Sequence, residues 1–170
     1  MKSKERRESI ARLLINDSNA IKGSELAKIF NVTRQVIVKD IAILRAEGRN
    51  IISTPQGYIS NVKNYKEKAI IAVSHDIKNT IDELKIIVKY GGIIEDVIIE
   101  HPIYGEIKGI LMIKNLNDLS KFELKFKDNK VKPLSDLTNG VHLHTIAAEG
   151  KEEISLILKE LKEKGFLLSE

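Results

Sequence analysis

The sequence predicts an α+β protein in two parts: an N-terminal winged helix-turn-helix and a C-terminal split-βαβ open-faced sandwich of order βαββαβα. Three observations lead there. The first sixty residues hold three helical apolar patterns followed by two short β-rich runs; the remainder alternates β-rich runs with helical patterns; and the basic excess lies wholly in the first part. A chain of 170 residues, 42% hydrophobic and 31% charged, suits two modest soluble cores. The boundaries fall at residues 1–62 and 66–170, with polar residues from Asn61 to Lys68 as the link.

Ile10, Leu13 and Leu14 at helical spacing give a first helix from about Lys4 to Ile15, stopped by the turn cluster Asn16-Asp17-Ser18-Asn19. A short second helix follows, with Ser24 as expected N-cap and Leu26, Ala27, Ile29 and Phe30 as its buried set. Asn31-Val32 makes the turn, and Thr33 caps a third helix running to about Glu47. Ile37, Ile41 and Leu44 form its core stripe, which turns Arg34, Gln35, Val38, Lys39, Ala42 and Arg45 elsewhere. Asn50 to Ser53 and Gly57 to Ile59 read as two strands around Thr54-Pro55-Gln56, a β-wing.

Residues 1–60 carry 11 Lys/Arg against 6 acids, whereas the rest carries 17 against 18. A basic excess confined to one part is the footprint of a surface facing phosphate. Arg34 and Gln35 occupy the first turn of the third helix, the part that reaches base edges in the major groove. Arginine grips guanine O6/N7 and glutamine grips adenine N6/N7 through paired hydrogen bonds. Lys39 and Arg45 suit phosphate contacts, which position without specifying. The segment from Ile21 to Ser60 resembles the winged helix-turn-helix of bacterial repressors of the biotin-repressor and DeoR-like kind. That resemblance implies double-stranded operator DNA as partner.

In the second part, Ala69 to Val73 is a strand leading to His75, and Thr80 to Tyr90 is a helix with Ile81, Leu84 and Val88 on one side, stopping at Gly91-Gly92. Val97 to Ile99 and Ile107 to Ile113 are strands joined by a hairpin-like His101-Pro102-Ile103-Tyr104-Gly105. Leu116, Leu119, Phe122 and Phe126 predict a further helix, Val141 to Ala148 a strand, and Ile154, Leu158 and Leu161 a last helix ending at Gly165. A short final strand is expected at Phe166 to Leu168. No apolar run approaches the ~20 residues needed to cross a bilayer. With no signal peptide at its start, the chain is expected to be cytoplasmic and to have no membrane partner.

The absence of Cys leaves His, Asp and Glu as the only strong metal ligands. His142 and His144 are two apart on a strand, so both rings leave one face about 7 Å apart by Cα. Two imidazoles so placed begin a divalent metal site. His75 ends the first strand, which could lie beside the fourth, and Glu83 could add a carboxylate. The alternative from the residues alone is a polar strand face open to solvent.

The whole chain resembles the nicotinate-responsive repressors of NAD biosynthesis and niacin uptake, in which a winged helix is fused to a three-histidine (3H) domain. The resemblance lies in Ser74-His75-Asp76, in His101 to Gly105, and in Pro133 to Thr138 running into Gly140-Val141-His142-Leu143-His144-Thr145-Ile146. It implies His75, Glu83, His142 and His144 as ligands of one divalent transition metal per chain, and nicotinic acid as corepressor. Such nitrogen and oxygen donors suit Ni, Zn, Co or Fe, and a homodimer is expected because one winged helix reads only a half-site. Such a ligand set leaves one or two positions of a five- or six-coordinate ion for a pyridine carboxylate. His101, Tyr104 and Thr138 are candidate ligand-pocket residues. His101 and Tyr104 could equally serve as hairpin packing, and Thr138-Asn139-Gly140 as a plain tight turn. The expected protein is not an enzyme. Two other readings are a regulator answering to metal alone and a metal-dependent enzyme, for which Asp76 and Asp136 are the nearest candidate bases and read equally well as caps.

Overall fold

The computed structural model describes residues 2–60, 65–128 and 132–168. The chain forms two compact units, Met1–Asn64 and Tyr65–Glu170. In the first unit, α1 (Ser3–Asn16), α2 (Gly23–Ile29) and α3 (Arg34–Ala46) precede a two-stranded wing, β1 (Ile52–Thr54) and β2 (Gly57–Ile59), paired antiparallel. Asn31 takes φ 50° in the turn between α2 and α3, a conformation Asn tolerates. The Thr33 side chain then accepts from the Val36 N–H and starts α3. Ile10 and Leu14 of α1, Leu26 of α2, and Ile37, Ile41 and Leu44 of α3 close one core. Each such side chain contributes about 1.5–3 kcal/mol by leaving water.

Two expectations for α2 fail. The helix begins at Gly23, with Lys22 at the N-cap and no side-chain cap bond, so Ser24 lies inside it. The reason is upstream: Ile21 exchanges backbone hydrogen bonds with Tyr58 of the wing, and the chain turns into helix directly after that bridge. Ile29 is exposed rather than buried, because a two-turn helix that faces inward with Leu26, Ala27 and Phe30 leaves position 29 on its outer side. Helix α1 is locked to α3 by Arg6, whose Nε lies 2.6 Å from the buried Asp40 carboxylate, with Arg7 at 3.9 Å.

The second unit runs β3 (Glu67–Ser74), α4 (Thr80–Lys89), β4 (Ile93–His101), β5 (Gly105–Ile113), α5 (Leu116–Asp128), β6 (Val141–Ala148) and α6 (Lys151–Glu163), with 3₁₀ turns at Ile77–Asn79 and Leu134–Thr138. The sheet order is β3-β6-β4-β5, every neighbouring pair antiparallel. Strands β3 and β4 therefore run parallel with β6 inserted between them, which is the split βαβ arrangement. Leu84 and Ile87 of α4, Leu119 of α5, and Ile157 and Leu161 of α6 cover the face carrying Ile71, Val73 and Ile146. On the opposite face Ile70 stays exposed.

β4 starts at Ile93, earlier than the expected Val97: Glu95 and Asp96 break the apolar pattern, but the strand passes through them with a bulge between Ile94 and Asp96. The expected helix forms as α5, with Leu119 buried and Leu116 exposed at its first position. The final strand is reduced to one bridge, Leu167 beside Val73, on the outer edge of β3. The link is shorter than Asn61 to Lys68, since β3 already begins at Glu67; residues 61–64 of that expected link lie outside the described residues.

Candidate metal centre and nucleic-acid interface

Register places the histidines. On β6, His142 stands opposite Val73 and His144 opposite Ile71, so both rings share the helix-covered face with those core residues. That face is buried and not the solvent-facing strand surface the residues alone left open: His142 is 4% and His144 2% exposed. Helix α4 crosses above them and turns Glu83, Leu84 and Ile87 inward, leaving Glu83 0% exposed. His75 follows directly after β3, and its side chain is also almost completely removed from water.

Four side chains thus meet in one place. His75 Nε2 lies 2.7 Å from Glu83 Oε2, and His142 Nε2 lies 3.5 Å from the same oxygen. His144 Nε2 approaches the other oxygen, Oε1, at 3.3 Å. Ligand atoms of His75, Glu83 and His142 all fall within 4.8 Å of one another. The rings pack edge to face, His142 centroid 5.0 Å from His75 and 4.8 Å from His144.

Each ring is oriented from behind. His75 Nδ1 is 2.9 Å from the Asp76 carbonyl, His142 Nδ1 2.8 Å from the Gly140 carbonyl, and His144 Nδ1 2.6 Å from the Asp96 carbonyl. A carbonyl only accepts, so all three Nδ1 atoms donate, and each neutral ring turns an Nε2 lone pair toward Glu83. A carboxylate is also only an acceptor, and Glu83 Oε1 has no hydrogen-bond partner among the described residues. Four acceptor groups facing one another out of water require a cation between them or protons on some rings. The donor set, neutral imidazoles plus a carboxylate with Nδ1–H held by backbone carbonyls, suits a divalent transition metal. These residues fit such an ion.

Without a cation, protons on the rings take its place. Burial opposes ionisation of Glu83, yet attraction to a charged His144 and hydrogen bonds from the protonated rings hold its carboxyl well below the ordinary carboxylate range. Burial also works against charge on His75 and His144, but their interactions with Glu83 outweigh it and raise both above the usual imidazole value.

A model of the 3H domain matches residues 68–170, and a model of a helix-turn-helix domain matches residues 6–59. The chain belongs to the 3H-domain family. It is 43% identical over 166 residues to a protein of Thermotoga maritima named probable transcription repressor NiaR, covering 98% of this chain and 95% of that one. It is 37% identical over 169 residues to the Bacillus subtilis transcription repressor NadR, covering 97% and 94%. An uncharacterized protein of Methanothermus fervidus is 28% identical over 153 residues, which make up 83% of this chain but 24% of that protein. The chain is a transcription repressor of this family, with a helix-turn-helix DNA-binding domain ahead of its 3H domain.

Beside its histidine cluster the 3H domain has a cavity of about 400 Å³ where β4 and β6 part, lined by Ile98, Ile99, Glu100, Thr138, Val141 and His142 among others. Thr138 faces this space, with its hydroxyl donating to the Val141 and Ser135 carbonyls. His101 and Tyr104 do not join it. Their rings stack at the tip of the β4–β5 hairpin, 5.1 Å apart, and His101 Nδ1 accepts from the Ile103 and Tyr104 N–H groups.

The sequence reading missed the three orienting carbonyls and the role of Gly140. Gly140 has φ 89°, and a Cβ there would collide with the His75 carbonyl. Its only sequence signal was the turn Thr138-Asn139-Gly140. In the helix-turn-helix domain Arg34, Gln35, Lys39 and Arg45 are all exposed along α3, and so is Val38 between them. Arg6, by contrast, is spent on Asp40, and Arg49 pairs with Glu8 at 3.2 Å.

Proposed function

We propose that this repressor acts as a homodimer on a two-fold operator, with nicotinic acid as corepressor and one divalent transition metal per chain held by His75, Glu83, His142 and His144. The genes under its control would be those of NAD biosynthesis or niacin uptake. One observation carries the reading: three Nε2 lone pairs and a buried carboxylate face one another beside a cavity, with every Nδ1 already committed to backbone. An ion held there supplies Lewis acidity toward a carboxylate or pyridine nitrogen.

The chain's own residues support a sensing role. His142 belongs both to the ligand cluster and to the cavity wall, so a small molecule in the cavity lies against the cluster. Ile98, Ile99 and Val141 offer an aromatic ring apolar walls, and Thr138 and His142 offer polar contact. One winged helix reads a half-site, hence the dimer. Corepression requires tighter ligand binding in the DNA-competent geometry, where a coupling of ~1–3 kcal/mol is typical. Arg34 and Gln35 would read bases while Lys39 and Arg45 hold phosphates.

A non-enzymatic role is supported by the two carboxylates that the sequence offers as candidate bases. Asp76 is paired with Lys78 and Asp136 with Lys132, so neither is poised as a general base. A gel shift against promoter fragments tests the reading. Nicotinic acid should strengthen the shift of nickel-loaded protein, and His142→Ala with His144→Ala should remove that response while leaving non-specific binding. If nickel alone gave the full shift, nicotinic acid would be dropped as ligand and the metal kept as the signal.

A further inference from the structure

Gly23 opens α2 without a left-handed backbone, so conformation does not demand glycine there. Space does. A Cβ at this position would lie 3.2 Å from Cε2 of Tyr58, 3.6 Å from Nε of Arg34 and 3.9 Å from its Cγ. Three elements converge on that point: the first turn of α2, the first turn of α3 and strand β2 of the wing.

Tyr58 is the fixed member. Its N–H donates to the Ile21 carbonyl and its carbonyl accepts from the Ile21 N–H, both at 2.9 Å. Its ring packs against the edge of the helix-turn-helix core. Arg34 is exposed, and its Cγ and Nε lie beside Gly23, within 4 Å of where a Cβ would stand. A long side chain seated at Cγ and Nε has fewer torsions left to order when its guanidinium meets a base. Paired hydrogen bonds to guanine O6/N7 are geometrically demanding, so this seating matters most for discrimination.

We propose that Gly23 and Tyr58 are positioning residues that seat Arg34 for base reading, so that the wing tunes the specificity of the recognition helix. This rests on the reading that α3 enters the major groove. It adds that Arg34 depends on two residues outside α3.

The test uses the full chain with nickel(II) and nicotinic acid present. A consensus duplex is selected from randomised DNA, and affinities are measured for it and its single-base variants by fluorescence anisotropy. Arg34→Ala identifies the base pair that Arg34 reads. Gly23→Ala and Tyr58→Ala should each lower discrimination at that pair about tenfold, within the range set by one bidentate contact. Tyr58→Phe, which keeps the ring, should retain it. In an Arg34→Ala background neither change should matter further at that pair. Gly23→Ala should keep or raise the melting temperature, because alanine forms helix better than glycine, so a purely structural role predicts no loss of discrimination.

Weakening equal across all sequences would overturn the positioning role, as would effects that add to Arg34→Ala. A shifted preference in Arg34→Ala with none in Gly23→Ala or Tyr58→Ala would overturn it and leave base reading by α3 standing. If Arg34→Ala altered no preference, or no consensus could be selected, base reading by Arg34 and its positioning would fall together.

Discussion

His144 Nδ1 lies 2.6 Å from the carbonyl of Asp96, a residue on the neighbouring strand 48 positions earlier. That contact fixes which nitrogen of His144 faces Glu83, so one cross-strand hydrogen bond decides the tautomer the centre requires. The same logic repeats at Asp76 and Gly140.

Glu83→Gln should therefore uncouple the protein from metal. Without the carboxylate, three neutral imidazoles lack the charge that offsets a divalent ion out of water. Metal at 100 times its Kd contributes ~2.7 kcal/mol, which is about 13 °C for a domain of ~100 residues. Calorimetry should show that shift in the wild type and none in Glu83→Gln.

The metal-free protein should be most stable in mildly acidic solution. The Glu83 carboxyl lies well below its ordinary 4.5, so its contribution is present above that pH and is lost as pH falls through the lowered folded value. His75 and His144 lie above their ordinary 6.5, so theirs is complete below 6.5 and is lost as pH rises through the raised folded values. Urea melts across pH should show the optimum between those limits. Metal-loaded protein should follow the opposite trend above 6.5, since ligands must shed protons to bind.

Asp40→Asn should destabilise the helix-turn-helix unit without touching its DNA face. It removes the partner of Arg6 from a site where Asp40 is only 3% exposed. Breaking a buried pair from one side costs roughly 3 kcal/mol or more. Denaturant midpoints would register the loss, and operator preference should be unchanged in the folded fraction.

Gly140→Ala should cost more than its size suggests. The φ of 89° disfavours alanine, and the added methyl meets the His75 carbonyl. A loss of about 2 kcal/mol or more is expected, together with weakened nickel affinity by titration calorimetry.

Elements with strong periodicity are legible in the sequence. The α3 stripe of Ile37, Ile41 and Leu44 and the strand Val141–Ala148 announce themselves through spacing, and His142 and His144 share a face for the same reason. Arg34, Gln35, Lys39 and Arg45 are exposed along α3 because the stripe faces inward. What spacing could not give was which face of the sheet the helices would cover, hence whether that pair was buried. The Nδ1 partners were equally out of reach, because backbone carbonyls carry no residue signature. Ile29 was misplaced because two turns of helix define too little of a stripe, and Ser24 because a tertiary bridge at Ile21 outranked a local cap.

Between Ile94 and Ile98 the ladder joining β4 to β6 is interrupted. In that gap the His144 ring holds the Asp96 carbonyl and the Asp96 carboxylate takes the Thr145 N–H at 2.9 Å. His144 is thus a rivet as well as a proposed ligand. Removing it by His144→Ala should let the two strands spread, which amide exchange at Thr145 would record as faster opening. The cavity beside His142 is framed by those same strands, so its width and the spacing of the histidine cluster are mechanically one adjustment.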